Sequence, residues 1–147
     1  MVNVVVGPVS DFPLGTMRQV TAQNRKLAIF HSATGFHALR DSCPHMGAAL
    51  SGGTLVGSVE APQPGCYEHH PEQEFIRCPW HGWEYELATG RSWFDPQHNR
   101  VANYETSVVP SGELPALADV RSTLVEGPFT AESFSVFVED DYVVVQL

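Results

Sequence analysis

The sequence predicts an all-β protein. Apolar residues cluster in runs of four to six rather than at helical spacing, and residues such as Phe134, Val136 and Val138 alternate with polar ones, which is a strand period. Turn signals rich in Gly, Pro, Asp and Asn recur about every eight to twelve residues. No segment carries a long helical period. Leu114–Val125 has room for a turn or two of helix, interrupted by Pro115.

The elements follow in order. Val2–Val6 is a short apolar run ended by Gly7-Pro8. Lys26–His31 and Phe36–Arg40 flank Ser32-Ala33-Thr34-Gly35, a hairpin connection. Phe75–Arg77 is a short strand. Trp83–Leu87 and Arg91–Phe94 flank Ala88-Thr89-Gly90, where the glycine suits a positive backbone angle. Ser133–Val138 and Tyr142–Val145 flank Glu139-Asp140-Asp141, a solvated turn, and are expected to form a terminal hairpin. Gly57–Glu74, rich in Pro, Gly, His and acid, is expected to be an exposed loop, and Pro110–Ser133 is a second long connection.

A chain of 147 residues fits one domain. Eight Lys and Arg against 17 Asp and Glu give a formal charge of −9, which argues against nucleic acid and suits partners with basic patches. No apolar run approaches the ~20 residues of a membrane span, and Met1–Gly15 lacks the pattern of a secretory signal. Three cysteines, two of them beside histidines, fit metal ligation in a reducing, cytoplasmic compartment better than a disulfide framework.

Two strings carry the chemistry: Cys43-Pro44-His45-Met46-Gly47-Ala48 and Cys78-Pro79-Trp80-His81-Gly82-Trp83. Each offers one thiolate and one imidazole. Two thiolates on one iron and two imidazoles on a second hold a 2Fe–2S cluster of the Rieske kind. Two ferric ions, two sulfides and two thiolates sum to zero charge, whereas four thiolates would leave a dianion, so histidine ligation raises the potential. Gly47 and Gly82 let backbone N–H groups approach the sulfides, Pro44 and Pro79 stiffen the loops, and Met46, Trp80 and Trp83 are placed to shield the centre from water. Zinc is the competing occupant of two Cys and two His, but zinc knuckles usually pair Cys with Cys across one turn.

CPHMGAALSGG and IRCPWHGWEYELATG closely resemble the two cluster-binding loops of Rieske ferredoxins and of the Rieske domains of bacterial aromatic-ring oxygenases. FHALRDSCPH resembles the strand entering the first loop, and FSVFVEDDYVVVQL the closing hairpin. The resemblance implies a single Rieske domain over 1–147: an antiparallel β-sandwich base, approximately 1–42 and 95–147, with an inserted cluster-binding subdomain at approximately 43–94. It implies Cys43, His45, Cys78 and His81 as ligands, with the histidines near the surface, and a covering proline loop at Asp95-Pro96. His98 follows closely and is considered for a supporting role there.

Some positions depart from the family. Cys66-Tyr67-Glu68-His69 is a second Cys-x-x-His, closer to the short gap usual in the family than the 32 residues separating His45 from Cys78. Cys78 and His81 are preferred because a strand delivers Cys78 and Gly82 follows His81, leaving Cys66 a free thiol. The disulfide of respiratory Rieske proteins is absent, since Ala48 and Trp80 stand at those positions, and Trp83 stands where those proteins have a serine donor to a sulfide. The potential is therefore expected toward the low end of about −150 to +300 mV, with the Tyr85 hydroxyl as a donor that can still reach a cysteine sulfur.

The remaining candidates receive plainer readings. His69 and His70 are expected to be solvated rather than a second metal site. His31 and His37 are read as structural, and Phe30, Trp93 and Phe94 as core.

The expectation is a soluble one-electron carrier between a flavin reductase and a terminal oxygenase such as a dioxygenase, with no catalytic residues of its own. No Asp-x-x-His-x-x-x-x-His string offers a mononuclear iron site. The alternatives are a small subunit of a nitrite-reductase-like or oxygenase-like assembly, and a redox-sensing binding module.

Overall fold

A computed structural model describes residues 2–110, 118–119 and 141–147. Eleven strands lie within these residues: β1 (Asn3–Pro8), β2 (Met17–Ala22), β3 (Arg25–Ser32), β4 (Gly35–Arg40), β5 (Thr54–Gln63), β6 (Cys66–Arg77), β7 (Glu84–Glu86), β8 (Asn103–Tyr104), β9 (Thr106–Pro110), β10 (Ala118–Asp119) and β11 (Asp141–Gln146). They form three sheets, in the orders β10-β1-β11-β9, β2-β3-β4-β8 and β5-β6-β7. Among the described residues only the β1–β10 pairing is parallel.

The β2-β3-β4-β8 sheet has one core on each of its faces. Leu27 and Ile29 of β3 join Val4, Val6, Val143 and Val145 of β1 and β11 in a first apolar cluster. Ala28 and Phe30, the alternate residues, turn to a second cluster with Leu50, Ile76, Tyr85 and Leu87. The continuous run Leu-Ala-Ile-Phe is therefore a strand buried on both sides, and Leu27 through Phe30 are all fully buried.

The hairpin expected around Ser32–Gly35 forms with Ser32 opposite Gly35. Trp83–Leu87 shortens to β7, and Arg91 makes only an isolated bridge to Arg100. Gly57–Glu74 is not a loop. It forms most of a long β5–β6 ribbon, bulged at Gly57/Ser58 and near its tip. Backbone pairing here overrides a composition poor in strand formers. Phe30 is core, but Trp93 and Phe94 are 67% and 87% exposed, against expectation. They lie in a turn held by Asp95, whose carboxylate accepts from His98 Nδ1 and Asn99 Nδ2.

Ser133–Val138, residues 139–140 and nearly all of the 110–133 connection, including the helical turn considered at Leu114–Val125, lie outside the described residues. Tyr142–Val145 is a strand, paired with β1 and β9. Among the described residues, no helix is long and apolar enough to cross a membrane.

Candidate metal centre

The first loop leaves β4 at Asp41, a buried carboxylate. It accepts hydrogen bonds from the Ser51 N–H at 2.8 Å, the Ser51 hydroxyl at 2.6 Å and Gln19 Nε2 at 2.7 Å. One side chain thus ties both ends of the loop to β2, and each bond satisfies a group that burial would otherwise leave costly. Within the loop the Cys43 N–H donates to the Ala48 carbonyl at 2.8 Å. The second loop is delivered by β6 and leaves through β7, with Arg77 opposite Glu84 in register and bonded to it at 2.8 Å. Here the Cys78 N–H donates to the Trp83 carbonyl at 2.7 Å. Both loops therefore close by the same device, a cysteine N–H bonded to the carbonyl five residues on.

Cys43 and Cys78 are buried side by side, while His45 and His81 are exposed. The two imidazoles are 5.0 Å apart between ring centres and nearly perpendicular. Trp83 is 5.3 Å from His45 and 5.4 Å from Phe94, so an aromatic wall flanks the histidines. His81 holds φ at +66° and Gly82 follows at +70°. This pair of left-handed residues turns the chain sharply after Trp80. Glycine adopts such an angle freely, whereas histidine does so at a cost of roughly 1–2 kcal/mol.

Burial pushes the Cys78 thiol up to about 11; the Trp80 N–H pulls it back and neighbouring Cys43 raises it further. The fully buried Tyr85 lies with its hydroxyl 3.4 Å from Cys43 Sγ. Burial first, then Cys43, raise its pKa well above the usual phenol range, so it remains a donor. Cover over the sulfurs comes from Tyr85, Ala48, Leu50 and Ile76. Met46 and Trp80, expected as shields, are 61% and 52% exposed. Gly47 and Pro96 are also exposed. Cys66 is an exposed free thiol at the ribbon tip, opposite Gln63. It stands eleven strand residues before Arg77, about 35 Å of extended chain.

Residues 2–105 match the family described as Rieske [2Fe-2S] domain. This chain belongs to that family. Ferredoxin CarAc of Metapseudomonas resinovorans is 34% identical over 82 residues, 55% of this chain and 62% of that protein. Apoptosis-inducing factor 3 of Homo sapiens is 33% identical over 89 residues, 60% of this chain but 12% of that protein. This Rieske domain thus spans less than two thirds of either relative. A structure described as a complex of reduced oxygenase and oxidized ferredoxin in carbazole 1,9a-dioxygenase contains a chain that superposes with a TM-score of 0.54 at 29% identity, covering 72% of this chain and 84% of that one.

The cofactor of a Rieske domain is a 2Fe–2S cluster, and the donor set fits it. The buried Cys78 thiol, with Cys43 beside it, resists ionisation, and ferric iron would supply the charge that offsets the cost. Two solvent-facing imidazoles complete a donor set split by type.

Two features of the site escaped the sequence reading. Asp41 stands directly before the first motif, but its link to Ser51 and Gln19 depends on the fold. The left-handed backbone of His81 is only weakly signalled by its residue type, because positive φ is uncommon outside glycine even though Asn, Asp and His adopt it more often than others.

Proposed function

We propose that this chain is a one-electron carrier, with Cys43, His45, Cys78 and His81 holding the cluster, that passes electrons from a reductase to a terminal oxygenase or a similar enzyme. The observation that carries the reading is the pair of exposed imidazoles 5.0 Å apart, backed by two buried sulfurs. When bound, the cluster supplies a one-electron redox couple.

The chain's own residues do the rest. Tyr85 Oη–H and the Trp80 N–H donate to the Cys43 and Cys78 sulfurs, which stabilises negative charge there. The second apolar cluster keeps water from the sulfurs. His45 and His81 present their rings to solvent, where a partner approaches closely enough for transfer without a permanent complex. The charge of −9 favours partners with basic docking faces. In this reading the chain is cytoplasmic, binds neither nucleic acid nor membrane, and transforms no substrate itself.

A base at 1–42 and 95–147 with a cluster subdomain at 43–94 is the division we adopt. The β5-β6-β7 sheet lies wholly inside 43–94, and every other strand among the described residues lies wholly outside it.

Redox titration of the reconstituted protein, followed by electron paramagnetic resonance, tests the assignment. A Rieske-type signal that survives Cys66→Ser and disappears in Cys43→Ser, Cys78→Ser, His45→Ala or His81→Ala is expected. Loss of the signal in Cys66→Ser with retention in Cys78→Ser would overturn the ligand set.

A further inference from the structure

Away from the paired loops, one face of the β5–β6 ribbon gathers four ionisable side chains. Glu60 on β5 lies directly opposite Glu68 on β6. His70 follows Glu68 by two residues and so shares its face. His70 Nε2 is 3.6 Å from Glu60 Oε2 and 3.8 Å from Glu68 Oε2, while His70 Nδ1 is 3.2 Å from Glu72 Oε1. The Nδ1–H donates to Glu72, and in the neutral ring this bond would turn the Nε2 lone pair toward the two carboxylates.

Two observations suit a cation at this cluster. Like charges directly opposite on paired strands are destabilising, and Glu60 and Glu68 are such a pair. Moreover, His70 Nε2 is closed off from solvent yet has no hydrogen-bond partner. The two gaps at Nε2 lie near the ~3.4 Å edge of a tetrahedron whose donors are about 2.0–2.1 Å from a central ion. All three donor atoms fall within 4.8 Å of one another.

We propose that Glu60, Glu68 and His70 bind one divalent transition-metal ion of the zinc class, with Glu72 orienting the imidazole through Nδ1. One imidazole with carboxylates suits zinc better than calcium or magnesium, which favour all-oxygen sites. The Glu72–His70 bond is the carboxylate–histidine arrangement that fixes the tautomer of metal-binding rings. The ion would clip β5 to β6 where, among the described residues, no third strand pairs with the ribbon. Glu60 also lines the groove, about 590 Å³, that runs to His81 and Trp83, so the clip would stiffen one wall of that groove. The adjacent His69 is not part of this set; it lies opposite Val59.

The test is equilibrium dialysis of the cluster-loaded protein against Zn²⁺ alone, with zinc and iron counted in the same sample. One zinc per protein beyond the irons is expected. His70→Gln and the Glu60→Gln/Glu68→Gln pair should lose it, and Glu72→Gln should bind about 10- to 100-fold more weakly. His69→Gln and Cys66→Ser should bind as the parent does. Zinc should raise the unfolding midpoint of the parent and not of His70→Gln, and this comparison reads the site even where a variant is less stable. Absence of stoichiometric zinc in the parent, or zinc that survives His70→Gln but not Cys66→Ser, would overturn the proposal. The iron count reports the paired loops separately, so failure here leaves the electron-carrier reading untouched.

Discussion

Tyr85→Phe isolates a single hydrogen bond. The ring is fully buried and its hydroxyl is 3.4 Å from Cys43 Sγ. Phenylalanine keeps the ring and removes only the donor, so the cost in folding stability should be about 1 kcal/mol. The effect on the potential follows from the change in acceptor. A hydrogen bond to a neutral acceptor nets about 1 kcal/mol and one to a charged acceptor about 2 kcal/mol. Reduction places more negative charge on the sulfur, so the bond favours the reduced state by a difference of about 1 kcal/mol. With 59 mV per tenfold change for one electron, this corresponds to roughly 40 mV. The midpoint potential of Tyr85→Phe should therefore fall by about 40 mV. Redox titrations of parent and variant, each with an intact cluster spectrum, measure it. An unchanged or raised potential would refute the claim that Tyr85 donates to a cluster-bound sulfur.

Three further outcomes are expected. Cys66→Ser should leave the cluster's visible absorption intact, whereas Cys78→Ser should abolish it. Gly90 sits at φ +74°, and a Cβ there would lie 2.1 Å from the Val101 carbonyl oxygen, so Gly90→Ala should cost more than ~2 kcal/mol in denaturant unfolding; an unchanged midpoint would contradict this. His37 is held below its ordinary value of 6.5 by burial, which outweighs the opposing charge of Glu74. The native state therefore binds fewer protons than the unfolded one below pH 6.5; the stabilisation is complete above that value and lost as the pH falls through the lowered native pKa. Thermal unfolding across this range should steepen in the parent and flatten in His37→Gln.

The readable parts of the fold were those where pattern and packing agree. β3 and β4 were evident because their apolar residues face cores on both sides of one sheet and a short polar turn joins them. The β5–β6 ribbon was hidden. Its strands carry Pro62, Pro71 and a series of glutamates, so backbone pairing and two bulges, rather than side-chain pattern, set its course. Trp93 and Phe94 were misjudged for a related reason. Aromatic character says nothing of direction, and the turn held by Asp95 carries both rings outward. At the site, residue types and spacing single out the two thiols and two imidazoles proposed as ligands. The support from Asp41 was not legible, because it joins β2, the first loop and Ser51, residues far apart in sequence.

His81 places one demand on the backbone and another on the side chain, and the two conflict. Glycine would relax the left-handed turn there, at the price of the ring. Stabilising selection acting on that loop alone thus runs against the cluster-binding role proposed for the ring. A thermostability screen of cluster-free protein should drift toward His81→Gly, and material gaining heat resistance that way should stay pale on reconstitution.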